Sequence, residues 1–180
     1  RLTSESKRVG LGPFTTLSTF ARRVSFGRSR GSQFMLIDSI GFIEDMHPTI
    51  VKAFTSTLGE IAHSDAILLF VDASEESQVI ARRCSSMSAI LREIDADAEV
   101  IPCANKIDLI RADEVENAVK AIQEKFIDST VIPISALTGQ NVTQLLSAIA
   151  AKINRGGSPA SAQITSYAGN PGESDLTDQP

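Results

Sequence analysis

Long apolar runs are missing from this sequence, and none approaches the length of a membrane span. No integral membrane association is therefore expected. No secretory signal pattern is visible either. Sulfur is scarce. The two cysteines, Cys84 and Cys103, are too few for a disulfide framework, and each sits in an apolar pattern that predicts a buried free thiol. There are two histidines, His47 and His63. The first reads as solvated, and the second lies near a helix C-terminus, where it could favour the dipole. An excess of positive charge is also lacking. A net charge of −5 argues against a mainly electrostatic grip on nucleic acid or anionic membrane, so no DNA partner is expected. Arg22, Arg23, Arg28 and Arg30 leave room for a local basic patch, although an exposed strand edge accounts for the first two. What remains is 180 residues, 42% apolar and 22% charged, which is enough for one globular domain with a full core.

The end of the chain differs from the rest. From Arg155 it reads RGGSPASAQITSYAGNPGESDLTDQP, rich in Gly, Ser, Pro and Asp. Such a composition buries too little surface to offset its ordering entropy. Residues 154–180 are accordingly expected to be a disordered tail, and residues 1–153 the folded part.

Within the folded part, strands and helices alternate. ARRVSF and QFMLID are β-rich runs joined by GRSRGS, a loop suited to a hairpin. A helix is expected from about Pro48, with Val51, Phe54, Leu58 and Ile61 on one face. AILLFVD is an unbroken apolar run of strand length, the pattern of a parallel strand buried on both faces. Ile80, Cys84, Met87, Leu91 and Ile94 then recur at helical spacing. AEVIPCAN is the next strand, and Val115, Val119, Ile122 and Phe126 mark a helix starting near Ala112. TVIPIS is a short strand. A last helix from about Asn141 carries Val142, Leu145, Leu146, Ile149 and Ile153. This order predicts an α/β fold: a mostly parallel sheet, helices on both faces, and an antiparallel hairpin adding an edge strand.

In such folds ligands bind at the carboxyl ends of the strands. The residues that end the strands here are DSIGF, DAS, NKID and SALTG. One such loop means little. The ordered set D-x-x-G, N-K-x-D and S-A, each directly after a strand, is specific, and its chemistry suits a guanine nucleotide. Asp108 could accept two hydrogen bonds from guanine, from the ring N–H and the exocyclic amine. Adenine lacks that donor pair and would leave the carboxylate unpaired. The Asn105 amide could bond the base and tie neighbouring loops together. The stem of Lys106 could cover the flat base. The backbone N–H of Ala136 could meet the guanine carbonyl oxygen. Asp38 would hold Mg²⁺, through water. Gly41 would offer its N–H to the γ-phosphate, with no side chain in the way.

The block DSIGFIEDMHPTIVKAFTSTLGEIAHSDAILLFVDAS, residues 38 to 74, resembles the HflX family of ribosome-associated GTPases, within the translation-factor-related P-loop GTPases. PFTTL followed by RR resembles that family's first switch region and is also similar to the Obg GTPases. The resemblance runs from about residue 1 to residue 153. It implies a G-domain fold, GTP and GDP as ligands, Mg²⁺ as the metal, cytoplasmic location and the large ribosomal subunit as partner. It implies that Thr16 contacts Mg²⁺ and the γ-phosphate, with Thr15 as the competitor for that role. It implies that Ser135, Ala136 and Leu137 form the second base loop. In Ras-like proteins a glutamine that orients the attacking water follows D-x-x-G. Here that position is Phe42, whose ring makes no such hydrogen bond. HflX-like proteins are similar in this, which implies slow hydrolysis stimulated by a partner.

The run G-x-x-x-x-G-K-[ST], whose backbone N–H groups and lysine cradle the phosphates, is absent. GLGPF has no Lys-Ser or Lys-Thr behind it, and GRSRGS has the wrong spacing. RLTSESKRV resembles the end of the helix that follows this loop in the family. The expectation is an N-terminally truncated G domain, lacking its first strand and phosphate loop. Such a chain would grip nucleotide weakly and would not turn over, and its open sheet edges would favour aggregation. A non-hydrolysing GTPase-like module that binds a ribosome or protein partner is the alternative, and an unrelated α/β enzyme is a third.

Overall fold

The computed structural model describes residues 20–25, 33–38, 63–94, 96, 98–153 and 161–166. The helix expected from about Pro48, together with Thr15, Thr16, Gly41 and Phe42, lies outside the described residues. The strands are β1 (Phe20–Ser25), β2 (Gln33–Asp38), β3 (Ala66–Asp72), β4 (Glu99–Asn105), β5 (Ile132–Pro133) and β6 (Ser161–Ser166). The helices are α1 (Ser77–Glu93), α2 (Ala112–Gln123) and α3 (Val142–Ile153). The strands form one sheet in the order β1-β2-β6-β3-β4-β5. β1 pairs antiparallel with β2 in the register Phe20↔Asp38. All the other pairings are parallel. The predicted hairpin and parallel sheet are both present.

The alternation of β3 explains how the layers stack. Successive strand side chains point to opposite faces. Ile67, Leu69 and Val71 enter one core with Ile80, Cys84, Met87 and Leu91 of α1 and Ala118, Ala121 and Ile122 of α2. Ala66 and Leu68 enter the other, with Ile101, Cys103, Ile132 and Ile134, and with Leu145 and Ile149 of α3. Ile67, Leu68 and Leu69 are fully buried. Each such side chain contributes about 1.5–3 kcal/mol of burial. Helices thus cover both faces, as the unbroken apolar run requires. Both thiols are free and buried. Burial pushes the Cys84 thiol up to about 12, against a smaller opposing pull from Lys125, and burial also raises that of Cys103.

Three details differ from the sequence reading. Phe126 is buried but lies beyond the end of α2, with its N–H donated to the Ile122 carbonyl at 3.2 Å. The Gln123 amide holds this turn by donating to the carbonyls of Phe126 (2.8 Å) and Ser129 (2.7 Å). The strand read from TVIPIS is reduced to Ile132–Pro133. Beyond it the Ile134 N–H still donates to the Ala104 carbonyl of β4 at 2.8 Å, and the chain then turns into the loop at Ser135.

The third difference concerns the tail. Within residues 154–180, expected to be disordered, Ser161–Ser166 form β6. β6 lies between β2 and β3 and is parallel to both. Its registers run Met35↔Ser161 to Asp38↔Ile164 on one side and Ala66↔Ala162 to Phe70↔Ser166 on the other. The physical reason is backbone satisfaction. β2 and β3 run parallel with one strand's width between them, and their facing N–H and C=O groups need partners. A six-residue strand supplies these partners to both ladders whatever its side chains. The open edges expected at that place are therefore filled by β6 of the same chain.

Candidate functional site

Because β2, β6, β3, β4 and β5 are parallel, their carboxyl ends share one rim. Asp38 ends β2, Asp72 ends β3, Asn105 ends β4, and Ser135 follows β5 closely. Asp72 and Asn105 are direct register partners. Asp38 is half-buried. The rim therefore brings together Asp38, Asn105, Lys106, Asp108, Ser135, Ala136 and Leu137 from the predicted site. Thr16, Gly41 and Phe42 are not among the described residues.

The N-K-x-D turn is built by an unusual backbone step. Lys106 has φ 68° and ψ 29°, the left-handed region that costs a non-glycine residue about 1–2 kcal/mol. Local bonds offset this cost. The Leu109 N–H donates to the Lys106 carbonyl at 3.0 Å, and the Ile107 N–H to the Ile134 carbonyl at 3.3 Å. Ile107 is buried beneath the turn. The step turns Asp108 outward. That carboxylate is exposed and accepts no hydrogen bond from another described residue, so it stands ready to accept from a ligand.

Neighbouring loops lock onto this turn. Asn105 Oδ1 accepts the Ala136 N–H at 3.0 Å, which is the loop-to-loop tie expected from the sequence. The Asn105 carbonyl accepts the Ala73 N–H, and the Ala104 carbonyl accepts the Ile134 N–H, both at 2.8 Å. Ser135 is fully buried, and its hydroxyl accepts the Thr138 N–H at 3.0 Å. Gly139 takes φ 90°, where glycine is favoured, and donates its N–H to the Ser135 carbonyl at 2.9 Å. Ser135 is thus a builder of the loop, and Ala136 is the exposed residue it presents. Leu137 is 71% exposed at the same rim.

One contact was not assigned from the sequence. The Lys106 ammonium lies 2.5 Å from Asp72 Oδ2. Asp72 Oδ1 accepts the Ser74 N–H at 3.0 Å and its hydroxyl at 2.6 Å. Burial raises the Asp72 pKa, but the Lys106 and Ser74 interactions together outweigh it and hold the carboxyl below its ordinary 3.8. The signal in the sequence was the D-x-S spacing after an apolar run, which is a side-chain-to-backbone turn. A carboxyl with a depressed folded pKa adds stability above its unfolded value, and that stability is lost as pH falls through the lowered one. The expected result is an Asp72 carboxyl signal that inflects below 3.8 in a carbon-detected NMR titration, with the ion pair intact at neutral pH. An inflection above 3.8 contradicts it.

Among the described residues no group of three or more His, Cys, Asp or Glu is placed to hold a metal ion. Nor, among them, is any helix long and apolar enough to cross a membrane.

A largely parallel sheet covered by helices on both faces, with N-K-x-D and S-A loops joined at its carboxyl rim, defines a P-loop GTPase G domain. The family described as "Elongation factor Tu GTP binding domain" matches residues 16–155, and the chain belongs to it. Among curated proteins the chain is similar to the GTPase HflX of Hyperthermus butylicus, 38% identical over 155 residues. It is also similar to the GTPase HflX of Thermococcus kodakarensis, 41% identical over 112 residues. These matches cover 83% and 62% of this chain. The chain spans only 40% and 25% of the two relatives' lengths. Among solved structures it is similar to a GTP-binding protein from Sulfolobus solfataricus in complex with GDP. The TM-score is 0.63 at 30% identity, over 74% of this chain and 44% of that one. The resemblance to the HflX GTPases read from residues 38 to 74 is borne out.

Proposed function

We propose that this chain is the base-reading part of a cytoplasmic GTPase that binds GTP and GDP, hydrolyses GTP and works on the ribosome. The carrying observation is the Asn105–Ala136 bond, which fixes the N-K-x-D turn against the S-A loop beside an unoccluded Asp108. Asp108 accepts the two guanine donors. The Asn105 amide nitrogen, left available by the oxygen's bond to Ala136, donates to the base. The Lys106 stem covers the ring. Asp38 stands half-buried at the end of β2, and a carboxylate is the kind of oxygen ligand a hard cation takes. Asp38 and Thr16 would hold Mg²⁺, which when bound neutralises phosphate charge. Gly41 donates to the γ-phosphate. Phe42 places no hydrogen-bonding group on the attacking water, which supports hydrolysis stimulated by a partner. The resemblance to HflX proteins supports the large ribosomal subunit as that partner.

The sequence holds no G-x-x-x-x-G-K-[ST], so the main phosphate grip is proposed to come from another part of a longer protein in which residues 1–153 are part of the G domain. The same absence favours a second reading, a non-hydrolysing G-domain-like module that docks on a ribosome or protein. A fluorescent GTP analogue tests the two. The chain itself is expected to bind it weakly and without Mg²⁺ dependence, and a longer product of the same gene tightly and with it. Tight, Mg²⁺-dependent binding by the chain alone would overturn the missing-grip assignment. A longer product that neither binds nor hydrolyses GTP would establish the second reading.

A further inference from the structure

Asp72 lies outside the base-reading set yet touches its central lysine. The two residues stand on neighbouring strand ends, in a register that pairs Asp72 with Asn105. The left-handed step at Lys106 turns its side chain out of the β4 line, and the ammonium meets Asp72 at 2.5 Å. The Lys106 side chain is 51% exposed and that of Asp72 17%. A lysine so exposed is ordinarily free to sample many rotamers. This one is held at its tip, so its methylene stem bridges the ends of β3 and β4. Asp72 is held in turn by both Ser74 donors on its other oxygen. The strand end beneath is fixed by the Ala73 N–H bond to the Asn105 carbonyl.

We propose that Asp72 is a positioning residue for base recognition: it fixes the Lys106 ammonium so that the lysine stem forms a preformed wall for guanine. Ser74 orients the carboxylate that does this. The inference rests on the guanine reading of Asn105, Lys106 and Asp108. It adds that the order of the lysine is set from β3, not from the ligand. Freeing the side chain transfers its ordering to the binding step, an effect of about tenfold in affinity.

The test titrates the full chain with guanosine 5′-monophosphate and follows amide shifts at Asn105–Leu109 and Ala136. Order parameters of the Lys106 side chain are measured before ligand is added. Asp72→Asn is near-isosteric. It is expected to leave the thermal midpoint close to that of the unsubstituted chain, to free the Lys106 side chain and to weaken binding about tenfold. Asp72→Glu should restore part of both. Ser74→Ala should loosen Lys106 less than Asp72→Asn does. Unchanged affinity and Lys106 order in Asp72→Asn would overturn the role of Asp72 while leaving base reading intact. If the unsubstituted chain shows no shifts with the monophosphate, base reading itself fails, and the role of Asp72 with it.

Discussion

Ending the chain at Ile153 is expected to abolish cooperative folding. If residues 154–180 were only a disordered tail, their removal would be neutral. In the structure they contribute β6, which carries two parallel ladders at once. Without it the β1–β2 hairpin loses its link to β3, and two strands are left with unpaired inner edges. Each backbone hydrogen bond lost from the two ladders costs about 0.5–1.5 kcal/mol. Summed over both ladders this is comparable to the roughly 5–15 kcal/mol that separates a folded domain from its unfolded chain. Exposed edges also template aggregation. Thermal unfolding followed by circular dichroism is therefore expected to lose its sharp transition, and light scattering to rise. A milder variant keeps the expectation testable if the truncated chain cannot be purified. Ile164→Pro removes one ladder donor from a central strand and should cost about 1–3 kcal/mol. A truncated chain that melts like the full one would show that β6 does not hold the sheet together.

The second large effect concerns Asp108. Its replacement by Asn removes a charged acceptor of two hydrogen bonds and puts an amide in its place. Hydrogen bonds to charged groups contribute about 1.5–3 kcal/mol each. Losing both should weaken guanine binding by at least about 100-fold. Xanthine carries an oxygen where guanine carries the exocyclic amine, and the new amide can donate to it. The base preference is expected to reverse while the fold is retained, since Asp108 is exposed and bonded to no other described residue. The contrast with Asp72→Asn is informative. That change should weaken guanine binding without altering which base is preferred.

The parts of this structure written in local pattern were legible in the sequence. AILLFVD had no polar residue until its end and became β3, buried except at Phe70 and Asp72. The spacing of Ile80, Cys84, Met87 and Leu91 became the buried face of α1. NKID and SAL were placed at the rim because each followed an apolar run. What escaped was non-local. SAQITS has little to distinguish it by composition, and its strand character comes from partners near the other end of the chain. The Asp72–Lys106 contact depends on the register between β3 and β4, which neither run reveals alone. The Ala136 N–H was read as a donor to the base, but it is donated to Asn105 here. Two loops that each looked built for a ligand bond to one another first, and local reading does not weigh one partner against another.

Guanine reading by the N-K-x-D turn at the end of β4 is the proposal on which the others rest. The most direct measurement is a pair of titrations, with guanosine and xanthosine monophosphates, of the unsubstituted chain and of Asp108→Asn, followed by amide shifts. Shifts are expected at Asn105–Leu109 and Ala136 with the guanine nucleotide in the first protein and with the xanthine nucleotide in the second. The same preference in both proteins, or shifts confined to other strand ends, would contradict it.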